Sequence, residues 1–172
     1  MAGGGDVVRA DWTIFEEDYF AIRSVLTELL KNSNAQSVLL IDRTGQLIAS
    51  LGNPPNFDVT SFASLSAADF EANAQLAHLI GERDFTTLYH QGADESMYLS
   101  RIEAKVIVVV LFDRHTTLGL VRLRVKKAVE QLGAIMRRLY EKLEYQNEEY
   151  QPDVDEDFAI RAEAEIDNLF RD

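Results

Sequence analysis

Three histidines, two aspartates that end apolar runs, and one basic stretch are the residues from which chemistry could be built. His78, His90 and His115 fall on a predicted helix, a predicted strand and a loop, with no ligand spacing among them. A metal ion needs three or four ligands converging on one point, so no metal site is expected. Asp42 and Asp113 each close an apolar run, a place where acid/base work can occur. Both are followed by turn sequences, Arg43-Thr44-Gly45 and Arg114-His115-Thr116, and a turn-forming aspartate explains each more cheaply. No phosphate-cradling Gly-x-x-x-x-Gly-Lys-Ser/Thr loop and no Gly-x-Ser-x-Gly nucleophile turn occurs. The residues therefore point to binding without catalysis, with no cofactor and no active site of the chain's own.

The basic stretch, Arg122, Arg124, Lys126 and Lys127, with Arg137-Arg138 beyond it, lies on a long amphipathic helix. Its ordinary reading is a solvated helix face. An acidic partner, or the chain's own acidic tail, is the alternative. Nucleic acid is not expected, because the net charge is −12. That charge is uneven: residues 144–172 carry a net of −9 and the first 143 only −3.

These residues are positioned by a scaffold centred on residues 104–143. Val106-Ile107-Val108-Val109-Val110-Leu111-Phe112 is a β-branched run that favours strand and is apolar on both faces, which marks a central strand. After residues 113–117 the period changes. Leu118, Val121, Val125, Ala128, Leu132, Ile135, Leu139 and Leu143 recur at three- and four-residue intervals, the face of an amphipathic helix. A first helix from about Asp11 to Ser33 carries Ile14, Phe15, Phe20, Ile22, Val25, Leu26, Leu29 and Leu30. Val38–Ile41 and Gln46–Leu51 form a β-hairpin across the Asp42–Gly45 turn. Phe85–Gln91 and Ser96–Ile102 precede the central strand, with short turns that make an antiparallel meander. The expected fold is α/β, a three-layer α/β/α sandwich in the order α-β-β-α-β-β-β-α, with a five-stranded antiparallel sheet and a flexible C-terminal tail. The strand at Phe85–Gln91 is expected at a sheet edge, where a second copy could pair with it.

The second helix carries the candidate site. Thr60 or Ser61 is expected to cap it, and Gly81 to end it after Ile80. Phe62, Leu65, Ala72, Leu76, Leu79 and Ile80 share a face, assigned here to the sheet. The opposite side carries Ala63, Ala67, Glu71, Ala74 and His78, with Phe70 and Ala77 on its flank. Alanine favours helix, which alone could explain that face. A contact surface, on which small side chains let another backbone approach, is the functional alternative.

Residues 1–11 read as a flexible start, 12–145 as the domain, and 146–158 as an acidic disordered linker. Residues 159–172 regain helical character, with Ile166, Leu169 and Phe170 forming one apolar patch. Such a patch suits a peptide that becomes helical in a partner's groove; a frayed terminus is the alternative. There is no cysteine, no apolar run approaches the ~20 residues that span a bilayer, and no signal peptide is expected, so a cytoplasmic protein is.

The hairpin Val38-Leu39-Leu40-Ile41-Asp42-Arg43-Thr44-Gly45-Gln46-Leu47-Ile48-Ala49 resembles the opening of roadblock domains, the dynein-light-chain-like GTPase regulators. Ser61-Phe62-Ala63-Ser64-Leu65, Leu79-Ile80-Gly81-Glu82, Val108–Asp113, Thr117–Ala128 and the terminal Glu165-Ile166-Asp167-Asn168-Leu169-Phe170 resemble the bacterial MglB-type members. The resemblance implies a roadblock homodimer, two chains of which bind one MglA-type small Ras-like GTPase on their paired second helices. It implies activation of GTP hydrolysis without an arginine finger, by moving the GTPase's own arginine and glutamine. The implied setting is a system for cell polarity or gliding motility, with concentration at a cell pole. The GTPase-contact residues it implies are Ala63, Ala67, Phe70, Glu71, Ala74, Gln75 and His78. Ile166, Leu169 and Phe170 would anchor a terminal helix that favours nucleotide exchange. Glu71 and Gln75 depart from the very small residues that MglB-type proteins carry on this face, and a buried unpaired carboxylate is costly. A scaffold that binds a GTPase or adaptor without changing hydrolysis is a second reading, and a ligand-sensing domain of similar layers a third.

Overall fold

A computed structural model describes residues 16–53 and 56–149. The elements are α1 (Glu16–Ser33), β1 (Ser37–Asp42), β2 (Leu47–Gly52), α2 (Val59–Leu79), β3 (Thr87–Gln91), β4 (Glu95–Ile102), β5 (Val106–Asp113) and α3 (Leu118–Glu149). Their order and type are those expected. The flexible start, the part of the acidic linker beyond Glu149, and the terminal helix with Ile166, Leu169 and Phe170 lie outside the described residues.

The five strands form one antiparallel sheet in the order β2-β1-β5-β4-β3. β5 is central, as its two-sided apolar run requires, and Val106, Val108, Val109 and Val110 are buried. Leu39 pairs with Val109 and Ile41 with Ile107, so Leu39, Ile41, Ile107, Val109 and Leu111 share the face that α2 covers. The intervening Val38, Leu40, Val108 and Val110 are equally buried on the other face, which α1 and α3 cover. Each of those helices presents a single row: Ile22, Leu26 and Leu29 on α1, and Val121, Val125, Ala128, Leu132, Ile135 and Leu139 on α3. Phe20, counted with the α1 row from its spacing, is instead exposed, because the buried row passes through Asp18 and Ile22 on either side of it.

Among the described residues, the sheet and the helical rows that cover it belong to one compact unit that ends at Leu139. β3 is an edge strand, as expected. Gly92 N–H donates to the Glu95 carbonyl and Arg101 N–H to the Thr86 carbonyl. In an antiparallel ladder these bonded pairs alternate, so Leu88 and His90 bond β4, while the backbone groups of Thr87, Tyr89 and Gln91 point to the open edge.

The start of α2 differs from expectation. Asp58, and not Thr60 or Ser61, is the N-cap: its carboxylate accepts from the N–H groups of Thr60 and Ser61. The hydroxyl of Ser61 and the two N–H groups hold the Asp58 carboxyl below its ordinary value. At the other end Gly81, with φ +83°, follows Ile80. Gly81 N–H donates to the His78 carbonyl and Glu82 N–H to that of Ala77, the paired bonds that a left-handed glycine permits.

Candidate functional site

α2 is apolar on both sides, and the structure decides which side meets the sheet. Ala63, Ala67, Phe70, Ala74 and Ala77 are buried; the first three belong to the core cluster with Leu39, Leu99 and Val109. This reverses the expected orientation. Leu65, Leu76, Leu79 and Ile80, assigned to the sheet, are 70%, 53%, 82% and 71% exposed; Phe62 of the same set is half-buried and does pack against the core cluster. Ala63, Ala67, Phe70 and Ala74 recur at four- and three-residue intervals, as regular a face as the larger residues make. Small side chains let the helix axis come close to a sheet already filled by Leu, Ile and Val, and Phe70, with Val59 and Phe62 partly buried beside it, completes the packing. Ala63, Ala67, Phe70 and Ala74 therefore belong to the buried face of α2 and not to its outward one.

Of the expected contact residues, Glu71, Gln75 and His78 are exposed on one flank of α2. The structure brings them together: Ala67, Phe70, Glu71, Ala74, Gln75 and His78 line one groove of about 270 Å³, whose other walls come from Arg43, Asp84, Arg101 and the residues that open β5. Ala63 does not reach it. Both acidic side chains of the groove face one of its arginines. Arg101 forms a two-pronged ion pair with Asp84, and its guanidinium lies 5.1 Å from the Phe70 ring centre. Glu71 lies 3.7 Å from Arg43. His78 Nε2 is 2.8 Å from the Arg83 carbonyl, closing the helix end.

On the opposite flank His90 of β3 meets Asp69 of α2 at 2.8 Å, tying the edge strand to the helix. Ile80 lies on this flank and Leu79 close to the crest, so an exposed apolar stripe runs along α2 beside the unpaired edge. Four aliphatic side chains left in water, each worth about 1.5–3 kcal/mol on burial, are a large exposed patch for a small domain.

The histidines remain apart. His115 meets Asp113, whose carboxyl is held below its ordinary value by the His115 N–H, then by the imidazole and by Gln36. No group of three or more His, Asp or Glu capable of holding a metal occurs among the described residues. Asp42 accepts from Thr44 N–H, the Thr44 hydroxyl and Gln46 N–H, the turn role expected of it. No helix among the described residues is long and apolar enough to cross a membrane.

Arg43 and Arg101 were missed as site residues. Arg101 carried a signal, since a cation on the same strand face as Met97 and Leu99 needs a carboxylate partner. Arg43 carried none that periodicity could reveal.

The Roadblock/LC7 domain model matches residues 22–112. The fold superposes on Myxococcus xanthus MglB with a TM-score of 0.70 at 45% identity, over 74% of this chain and 96% of that one. A gliding protein MglB from Thermus thermophilus matches with a TM-score of 0.71 at 30% identity, over 76% and 99% of the two chains. An MglB with a tetrameric arrangement matches with a TM-score of 0.72 at 30% identity, over 77% and 99%. The chain thus belongs to the Roadblock/LC7 domain family.

Proposed function

We propose that this protein is a cytoplasmic, homodimeric regulator of an MglA-type small Ras-like GTPase, acting in cell polarity or gliding motility. The observation that carries the reading is the exposed aliphatic stripe of α2 beside the open edge of β3, on a chain 45% identical to an MglB. Edge pairing of two β3 strands would satisfy their outward backbone groups and set two α2 helices side by side, giving one platform for one GTPase. Glu71, Gln75 and His78 would lie on that platform, and Leu65, Leu76 and Leu79 replace the buried alanines as its apolar contacts.

Of the two arginines that line the groove, Arg43 stands beside Glu71 and Arg101 is paired with Asp84. Activation would then work by position. The platform would press on the switch segments so that the GTPase's own arginine and glutamine reach the nucleotide, a gain of the kind worth about 10³–10⁵ in rate when an arginine is supplied. Ile166, Leu169 and Phe170 would anchor the terminal segment on the GTPase and favour exchange.

Single-turnover GTP hydrolysis by the MglA-type GTPase of the same organism, with and without a two-to-one excess of this protein, tests the reading. Large acceleration supports activation. Co-elution without acceleration would establish the second reading, a non-activating scaffold, which the charged and bulkier Glu71 and Gln75 favour.

A further inference from the structure

We infer that Arg43 is a specificity residue of the α2 surface: it supplies, within the same chain, the counter-cation for Glu71, so that the partner must fit an ion pair and not a bare carboxylate. The inference rests on the GTPase-binding reading above.

The placement of Arg43 is built into the fold. The turn that carries it is closed by the Asp42 carboxylate, which accepts three hydrogen bonds from Thr44 and Gln46. Arg43 N–H donates to the Lys105 carbonyl at 2.9 Å, fixing the turn to the neighbouring hairpin. Gly45, with φ +90°, brings the same turn against Ser64 of α2. Ser64 and Glu71 are seven residues apart, two helical turns, and so lie on one side of α2. The contact at Ser64 therefore sets the turn alongside Glu71, and the arginine closes the remaining distance to 3.7 Å.

In water this pair contributes little, because both side chains are more than half exposed. Its effect appears when a partner covers it. A lone carboxylate would then lose its hydration with no compensation, whereas a carboxylate already beside a guanidinium keeps its counter-charge. A partner surface complementary to this pair carries neutral polar groups over Glu71. A partner cation there would be repelled by Arg43 while it was drawn to Glu71.

The test is a double-mutant cycle on binding of the GTP-loaded MglA-type GTPase to full-length protein, using Arg43→Ala, Glu71→Ala and the double variant, with dimer state and thermal unfolding checked for each. Arg43→Ala should weaken binding about tenfold or more, because it strands Glu71. The double variant should recover most of that loss. Two results would overturn the inference: unchanged affinity for Arg43→Ala, or a loss on Glu71→Ala alone that the double variant shares, which would place the cation on the partner. Absence of binding by the wild-type protein is a different failure: it removes the GTPase reading itself, and this inference with it.

Discussion

A Cβ built on Gly45 would lie 2.6 Å from the Cα of Ser64, closer than real side-chain carbons come to backbone. The hairpin turn and the second helix are in backbone contact, and the glycine's φ of +90° is needed for the turn to take that course. Gly45→Ala should therefore destabilise the fold by about 1–3 kcal/mol, from strain at positive φ and the clash together. A urea midpoint lowered by that free energy divided by the slope, with the slope unchanged, is the expected result. A stability equal to wild type would mean that the turn moves away from α2 at no cost.

The orientation of α2 makes opposite predictions for its two faces. Ala67→Arg forces a guanidinium into the cluster with Leu39, Leu99 and Val109, and should cost about 4 kcal/mol or more. That is a large share of the ~5–15 kcal/mol a domain has in hand. Leu76→Arg, on the exposed stripe, should change stability by no more than about 0.5 kcal/mol and remove GTPase binding. Circular-dichroism melts of the purified variants separate the cases. A folded Ala67→Arg protein would return the small-residue face to the surface.

Acid sensitivity follows from Asp58 and Asp113, whose carboxyls are held below the ordinary 3.8 by hydrogen bonds from Ser61 and His115 respectively. Lowered carboxyl values mean that the folded chain binds fewer protons than the unfolded chain just below this range. Their contribution is therefore complete above about pH 4 and is lost as pH falls through the folded values. In the Asp58→Asn, Asp113→Asn double variant, stability should fall less steeply below about pH 4 than in wild type. Urea midpoints at a series of pH values from about 6 to about 3 would show it, and parallel curves would contradict it.

How legible this was in the sequence varied with the kind of constraint. β5 was plain, because consecutive β-branched residues leave both faces apolar. The α1 and α3 rows were plain because large apolar residues recur against a polar background; Met136 was omitted only because it lies beside Ile135 and outside the strict spacing. α2 is hard to orient from sequence because it is apolar on two opposite faces, with polar flanks between them. Periodicity locates two faces and does not choose between them. What chooses is the depth of the gap over the sheet, a tertiary quantity that depends on Leu39, Leu99 and Val109 together. The Arg43–Glu71 pair was illegible for a related reason: it depends on a turn crossing a helix that lies far along the chain.

The edge of β3 gives the last prediction. Its outward backbone groups belong to Thr87, Tyr89 and Gln91, while Leu88 and His90 bond β4. Proline at an outward position removes no bond of the ladder within the chain, yet it removes a donor from any strand that pairs at the edge. Tyr89→Pro should keep the fold and abolish the dimer, eluting at the mass of one 19.4 kDa chain. The tyrosine ring, stacked 6.2 Å from Phe112, is lost as well, so Tyr89→Ala is the necessary comparison. If the backbone edge makes the dimer, Tyr89→Ala stays dimeric and Tyr89→Pro does not. If both variants become monomers, the ring is the contact that matters; if both remain dimers, the two copies meet through another surface, and the platform of paired α2 helices has to be abandoned.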